Sequence, residues 1–229
     1  MSPRTIVVFG SGPGIGNHVA SSFAAHGFTH VILLARNTER LSTDAAFVKS
    51  ASPNVNVTTL RLDLADLSSI PSVLSKIEDL APELEVVFFN AAVVKFTGTA
   101  LDAPVSELET DFKVTNLALY AISQWAIPRL QALAKAKPTT KPSLLVTNSH
   151  LPWDPIPQLL SLSLVKAAQR NMVTSFSRAY SETGVHFGLI AVQGVVSPEA
   201  KVVNPANIAE KMWEFFEEGT ALEVLIKEP

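Results

Sequence analysis

Four residues near the middle of the chain carry side chains able to move protons or hold a substrate. Ser149 and His150 close the apolar run LLVTNSH. Asp154 follows in SHLPWDPIPQ, where three prolines stiffen the backbone and could aim a carboxylate. Lys166 is the one lysine in the apolar, serine-dotted run LLSLSLVKAAQ. Histidine titrates near neutral pH, so His150 could serve as a general acid. Asp154 could do the same or stabilise a substrate cation. One helical turn before Lys166, on the same helix face, stands Leu162, which has no proton to give. Ser161 and Ser163 flank it, but each points about 100° away around the helix. An unactivated hydroxyl is also a poor acid near neutral pH.

A second constellation lies at the start. The run GSGPGIG (Gly10 to Gly16) follows the short apolar segment TIVVF directly. Glycines there permit a tight turn and bring the backbone close to a pyrophosphate, while the next helix offers its free N–H groups to the phosphates. Gly10, Ser11, Gly14, Ile15 and Gly16 are therefore candidate cofactor contacts. The segment VILLAR ends in Arg36, followed by Asn37. A fold that selects NAD usually has a carboxylate here for the ribose 2′-hydroxyl, whereas an arginine pairs with a 2′-phosphate. This favours NADP(H).

Positioning these groups requires alternating strands and helices, and the pattern supplies them. Strands are predicted at 5–9, 31–35, 57–62, 85–90, 143–148, 185–192 and 222–226. Helices are predicted near 14–25, 37–50, 67–80, 105–136, 157–182 and 205–217. Several strands are apolar at consecutive positions, as strands covered on both faces are. The order implies an α/β fold: a Rossmann-like, doubly wound parallel sheet of about seven strands with helices on both faces. The stretch AKAKPTTKPS is too short to divide the chain, so residues 1–229 are expected to form a single domain.

The 229 residues are 47% hydrophobic and 17% charged, with net charge −3. Disorder is excluded, and nothing in the charge points to nucleic acid or an anionic membrane. With no cysteine, disulfides and thiol catalysis are excluded. No metal-ligand cluster stands out. The first apolar run is too short for a secretory signal, and a cytoplasmic protein is the expectation.

Taken in order, these motifs resemble the short-chain dehydrogenase/reductase family across essentially the whole chain. The spacing Gly10-x3-Gly14-x-Gly16 is similar to that family's glycine fingerprint. LDLADL supplies Asp63, resembling the aspartate beside the adenine. FFNAAV keeps Asn90 and Ala91 of the Asn-Asn-Ala-Gly element, with Ala92 where glycine is usual. KVTNLALY offers Asn116, resembling the family's helix-bending asparagine. Ser149 matches the catalytic serine and Lys166 the catalytic lysine. VQGVVS has Gln193 where proline is usual.

The resemblance implies NADP(H)-dependent oxidation or reduction of a small carbonyl substrate. Lys166 would hold the nicotinamide ribose and Ser149 would position the carbonyl. It also exposes a departure: family members carry a tyrosine four residues before the lysine, 13 after the serine, and that position is Leu162. His150 or Asp154 would then replace the proton donor, or the substrate would be an imine or iminium that needs none. The alternatives are an inactive NADP(H)-binding sensor or scaffold, and a non-redox cyclase or isomerase. The substrate-covering segment usual after the sixth strand is nearly absent. Relatives use the helices bearing Asn116 and Lys166 as subunit interfaces, which implies a homodimer or homotetramer.

Overall fold

The computed structural model describes residues 4–229. Seven strands form one parallel sheet: β1 (Thr5–Phe9), β2 (His30–Ala35), β3 (Asn56–Arg61), β4 (Val86–Phe89), β5 (Ser143–Ser149), β6 (His186–Gln193) and β7 (Glu223–Lys227). Their spatial order is β3-β2-β1-β4-β5-β6-β7. The order reverses between β1 and β4, so the crevice above their carboxyl ends is where such a sheet admits a ligand.

Helices cover both faces. They are α1 (Ile15–Ala25), α2 (Thr38–Ala51), α3 (Ile70–Leu80), α4 (Val105–Phe112), α5 (Ala118–Ala136), α6 (Leu160–Ala179) and α7 (Pro205–Glu218). Residues alternate across the pleat: Val7, Phe9 and Val87 pack under α3 and α5, while Ile6, Val8 and Val86 pack under α1 and α7. Two apolar layers thus sandwich the sheet, and burial of both strand faces explains the nearly continuous apolar runs. No helix among the described residues is long and apolar enough to cross a membrane.

The predicted helix 105–136 is interrupted. Lys113–Leu117 form a π-helical turn between α4 and α5, with Val114, Thr115 and Asn116 buried in it. Such a turn frees backbone carbonyls from the usual ladder, and this is the bend where Asn116 stands. The predicted helix 157–182 likewise resolves into a short 3₁₀ turn at Pro157–Leu159, then α6, then a second 3₁₀ turn at Ser181–Thr183. The chain from Gly194 to Asn204, joining β6 to α7, is held down by Glu228, whose carboxylate accepts from the N–H groups of Val202 and Val203 at 2.8 and 2.9 Å.

Candidate active site

The glycine-rich turn is fixed by close approach. Gly10 has φ +93°, and a Cβ there would lie 2.7 Å from the amide nitrogen of Ala91. A Cβ on Gly16 would lie 2.7 Å from Gly10 O. By contrast, a Cβ on Gly12 or Gly14 would meet nothing within 4 Å, so open space lies over the end of α1. Gly14 caps α1 without any side-chain hydrogen bond, and the first turn holds no acidic residue. Asn17 N–H donates to Gly12 O at 3.1 Å, and the helix dipole favours an anion at this end.

Beside this turn is a cleft of about 250 Å³, lined among others by Gly10, Ser11, Arg36, Asp63, Asn90 and Ala91. Most of the predicted cofactor residues therefore come together. Asn90 orders the floor: its Nδ2 donates to Gly10 O at 3.0 Å, and its Oδ1 accepts from Thr147 Oγ1 at 2.8 Å. Asp63 caps its own turn by accepting from Ala65 N–H at 3.0 Å. The Arg36 side chain is exposed, with no partner among the described residues, while its carbonyl accepts from Arg61 Nε at 3.2 Å. Asn37 does not line the cleft; it caps α2 by accepting from Arg40 N–H.

Sequence reading misses two groups here. Asp44 of α2 is fully buried and accepts from Ser11 Oγ, Asn17 Nδ2 and Arg40 Nε. The Ser11 hydroxyl is thereby spent on the protein. Arg61 ends β3, in register with Ala35 beside Arg36. Counting strand register from VILLAR to TTLR would find Arg61. Nothing local marks Asp44, an aspartate in an ordinary helix.

The reaction end is arranged differently from the expectation. Leu162 is 8% exposed and packs in a cluster with Leu151, Leu159 and Val165, against Phe112 and Ile156. Both flanking serines are engaged: Ser161 Oγ donates to Asp111 Oδ2 at 2.5 Å, and Ser163 Oγ donates to Leu159 O at 3.0 Å. Ser149 stands half-buried at the end of β5, its Oγ accepting from Leu151 N–H at 3.3 Å. Asn116 Nδ2 donates to Val165 O at 3.0 Å, tying the π turn to α6, while its Oδ1 is buried without a partner.

Lys166 is 4% exposed. Its Nζ donates to Thr147 O at 2.7 Å and to Gln169 Oε1 at 3.0 Å, and it does not line the cleft. Burial without a counter-charge lowers its pKa to about 7. His150 and Asp154 line a separate cavity of about 450 Å³ with Trp153, Gln193, Glu223 and Leu225. The structure brings those two together, but away from the cleft that holds the glycine-rich turn. Tyr120 is exposed on α5. No metal-binding group of three or more ligating side chains occurs among the described residues.

The site has parts that suit a nicotinamide dinucleotide: a helix end without a side-chain cap, glycines that leave room above it, and a cleft lined by Arg36 and Asp63. Known proteins resemble this chain in sequence and fold. A WW domain-containing oxidoreductase of Danio rerio is 29% identical over 173 residues, covering 75% of this chain. The chain spans only 40% of that protein's length. A short chain dehydrogenase/reductase of a Cryptosporiopsis species is 24% identical over 251 aligned positions, 99% of this chain and 93% of that protein. The fold matches a solved metagenomic short-chain oxidoreductase in complex with NADP at TM-score 0.85 and 20% identity, over 99% of this chain and 97% of that one. The short chain dehydrogenase family model itself matches residues 4–207. With glycine turn, switch-point cleft and sheet order all in place, the chain belongs to the short-chain dehydrogenase family.

Proposed function

We propose that the chain is an NADP(H)-dependent oxidoreductase acting on a small, activated acceptor, without a side-chain acid at position 162. The observation that carries this reading is the packing of Leu162 among apolar side chains in a chain that keeps the glycine-rich turn and a cleft beside it. In this reading the α1 N-terminus holds the pyrophosphate, Asp63 meets the adenosine, and Arg36 with Arg61 grips a 2′-phosphate. Ser149 orients the acceptor at the end of β5. A dihydronicotinamide held there would supply the hydride. A ketone needs a proton as well, and losing a positioned acid costs a factor of about 10²–10⁴. An iminium carbon needs hydride alone, which makes iminium acceptors the substrate class best suited to this site. His150 and Asp154 line their own cavity, and an iminium acceptor asks no proton of them.

A second reading, an NADP(H)-binding sensor or scaffold, is favoured by the engagement of Lys166 with protein groups only. We also infer a homodimer or homotetramer, because Leu117, Tyr120 and Leu164 are exposed on the π turn, α5 and α6; light scattering showing a monomer at micromolar concentration would contradict it.

Fluorescence titration with NADPH and NADH tests the cofactor assignment first: NADPH binds more tightly, and binding of neither sinks the reading. NADPH oxidation is then followed with a cyclic iminium and with the corresponding ketone. Turnover of the iminium alone supports the oxidoreductase. Binding without turnover of either supports the sensor.

A further inference from the structure

We propose that Gln169 is a positioning residue that determines where the Lys166 amine sits. It joins that amine to the π turn and keeps it from the dinucleotide cleft. The proposal deepens the dinucleotide-binding reading above, and its first test does not depend on that reading.

Gln169 is fully buried on α6, one helical turn beyond Lys166, where both side chains fall on one face. Its amide has two ends, and both are used. Oε1 accepts from Lys166 Nζ at 3.0 Å, and Nε2 donates to Thr115 O at 3.1 Å. Thr115 lies in the π turn, where the altered backbone ladder makes a carbonyl available to a side chain. A buried lysine amine without partners is costly, so it stays where acceptors are fixed. Thr147 O, at 2.7 Å, is the second fixed acceptor. The lysine thus links β5, α6 and the π turn.

An apolar side chain at position 169 would remove one of the two acceptors. The Lys166 amine would then be held only through Thr147 O and would be freer to leave its buried position. Hydrogen bonds to charged groups are worth roughly a tenfold change in an equilibrium or more. Gln169 therefore weighs directly on the balance between an inward and a cleft-facing lysine. No charged side chain is among the Lys166 partners, so Gln169 and the two carbonyls carry the effect.

The test is amine-selective labelling of the intact protein, with Lys166 modification read by mass spectrometry. Lys166 is expected to be protected in the wild type and labelled about tenfold faster in Gln169→Met, a change that keeps size and removes the amide. Gln169→Glu, which keeps an acceptor for the lysine, is expected to restore protection. Equal labelling of the wild type and Gln169→Met overturns the proposal, as does loss of protection in Gln169→Glu with circular dichroism unchanged. If Gln169→Met fails to fold, Gln169→Leu takes its place with the same expected outcome. A second readout joins the site to its ligand. The loss of NADPH affinity caused by Lys166→Met is expected to be about tenfold larger in the Gln169→Met background than in the wild type. Equal losses in the two backgrounds overturn the proposal. Absence of NADPH binding in every variant overturns the function reading alone, because the labelling result stands without nucleotide.

Discussion

Ser11 Oγ donates to the carboxylate of Asp44, 33 residues away, at 2.8 Å, and the carboxylate is fully buried. Asn17 and Arg40 complete its coordination. A helix that does not line the cleft thus braces the glycine-rich turn from behind. Asp44→Ala would orphan the Ser11 and Asn17 donors and leave Arg40 unpaired, at a cost of about 3 kcal/mol. Urea unfolding measures that loss. The variant is also expected to bind NADPH and NADH more weakly by similar factors, because it loosens a turn serving the phosphates common to both.

Arg61 and Arg36 make the opposite prediction, selective between the two nucleotides. Both arginines are exposed at the carboxyl ends of neighbouring strands, β3 and β2. Charge-assisted bonds to a 2′-phosphate disappear with NADH. Arg36→Ala and Arg61→Ala are each expected to weaken NADPH about tenfold and NADH by less than about twofold. Equal losses for both nucleotides in a fluorescence titration would remove the arginine pair from 2′-phosphate recognition.

Much of the fold is legible in the amino-acid sequence. Hydrophobic period and β-branched runs locate all seven strands within a residue or so: the interior strands, buried on both faces, must be apolar throughout, and the half-exposed edge strands β3 and β7 keep shorter apolar or β-branched runs. The glycine spacing locates the turn because only glycine tolerates the approach of Ala91 to Gly10. The interior polar links are not legible. Asp44 to Ser11 and Gln169 to Thr115 span 33 and 54 residues, and each depends on side-chain directions that one-dimensional spacing does not carry. The bend at Asn116 is signalled only by family resemblance; its π-helical form is not, since VTNL has no breaker, and Asn116 there donates to Val165 O of α6. Leu162 is conspicuous in the sequence as a missing tyrosine. Its place in an apolar cluster with Phe112 and Ile156 depends on contacts across 50 residues of chain, which spacing alone does not give.

Leu162→Tyr bears on that cluster. A ring at this position must displace neighbours packed around an 8% exposed leucine, at a cost of about 1–3 kcal/mol in thermal or urea unfolding. The hydroxyl alone is expected to give little carbonyl reduction, because Lys166 is turned toward Thr147 and Gln169 and cannot assist it. Leu162→Tyr combined with Gln169→Met is expected to reduce a ketone at least about tenfold faster than Leu162→Tyr alone, part of the 10²–10⁴ factor typical of a positioned acid. Equal NADPH oxidation rates for the single and double variants would show that the lysine does not limit the regained chemistry.

Lys166 also shapes stability against pH. Its pKa falls from 10.5 to about 7 on folding, through burial. Between those values the unfolded chain holds a proton that the folded chain lacks. Stability therefore rises with pH across the window from about 7 to 10.5, by up to about 1.4 kcal/mol per pH unit for one proton. Below pH 7 both states carry the proton, and the folded protein bears the full cost of burying an ammonium. Lys166→Met abolishes this dependence and removes that cost. The variant is expected to be more stable than the wild type at pH 6–7, with the advantage shrinking steadily as pH rises toward 10. Urea midpoints at closely spaced pH values, compared between the two proteins, read the difference directly, since the other titrating groups are common to both. Parallel curves for wild type and Lys166→Met would mean that the lysine titrates normally and that its amine is hydrated in the folded protein.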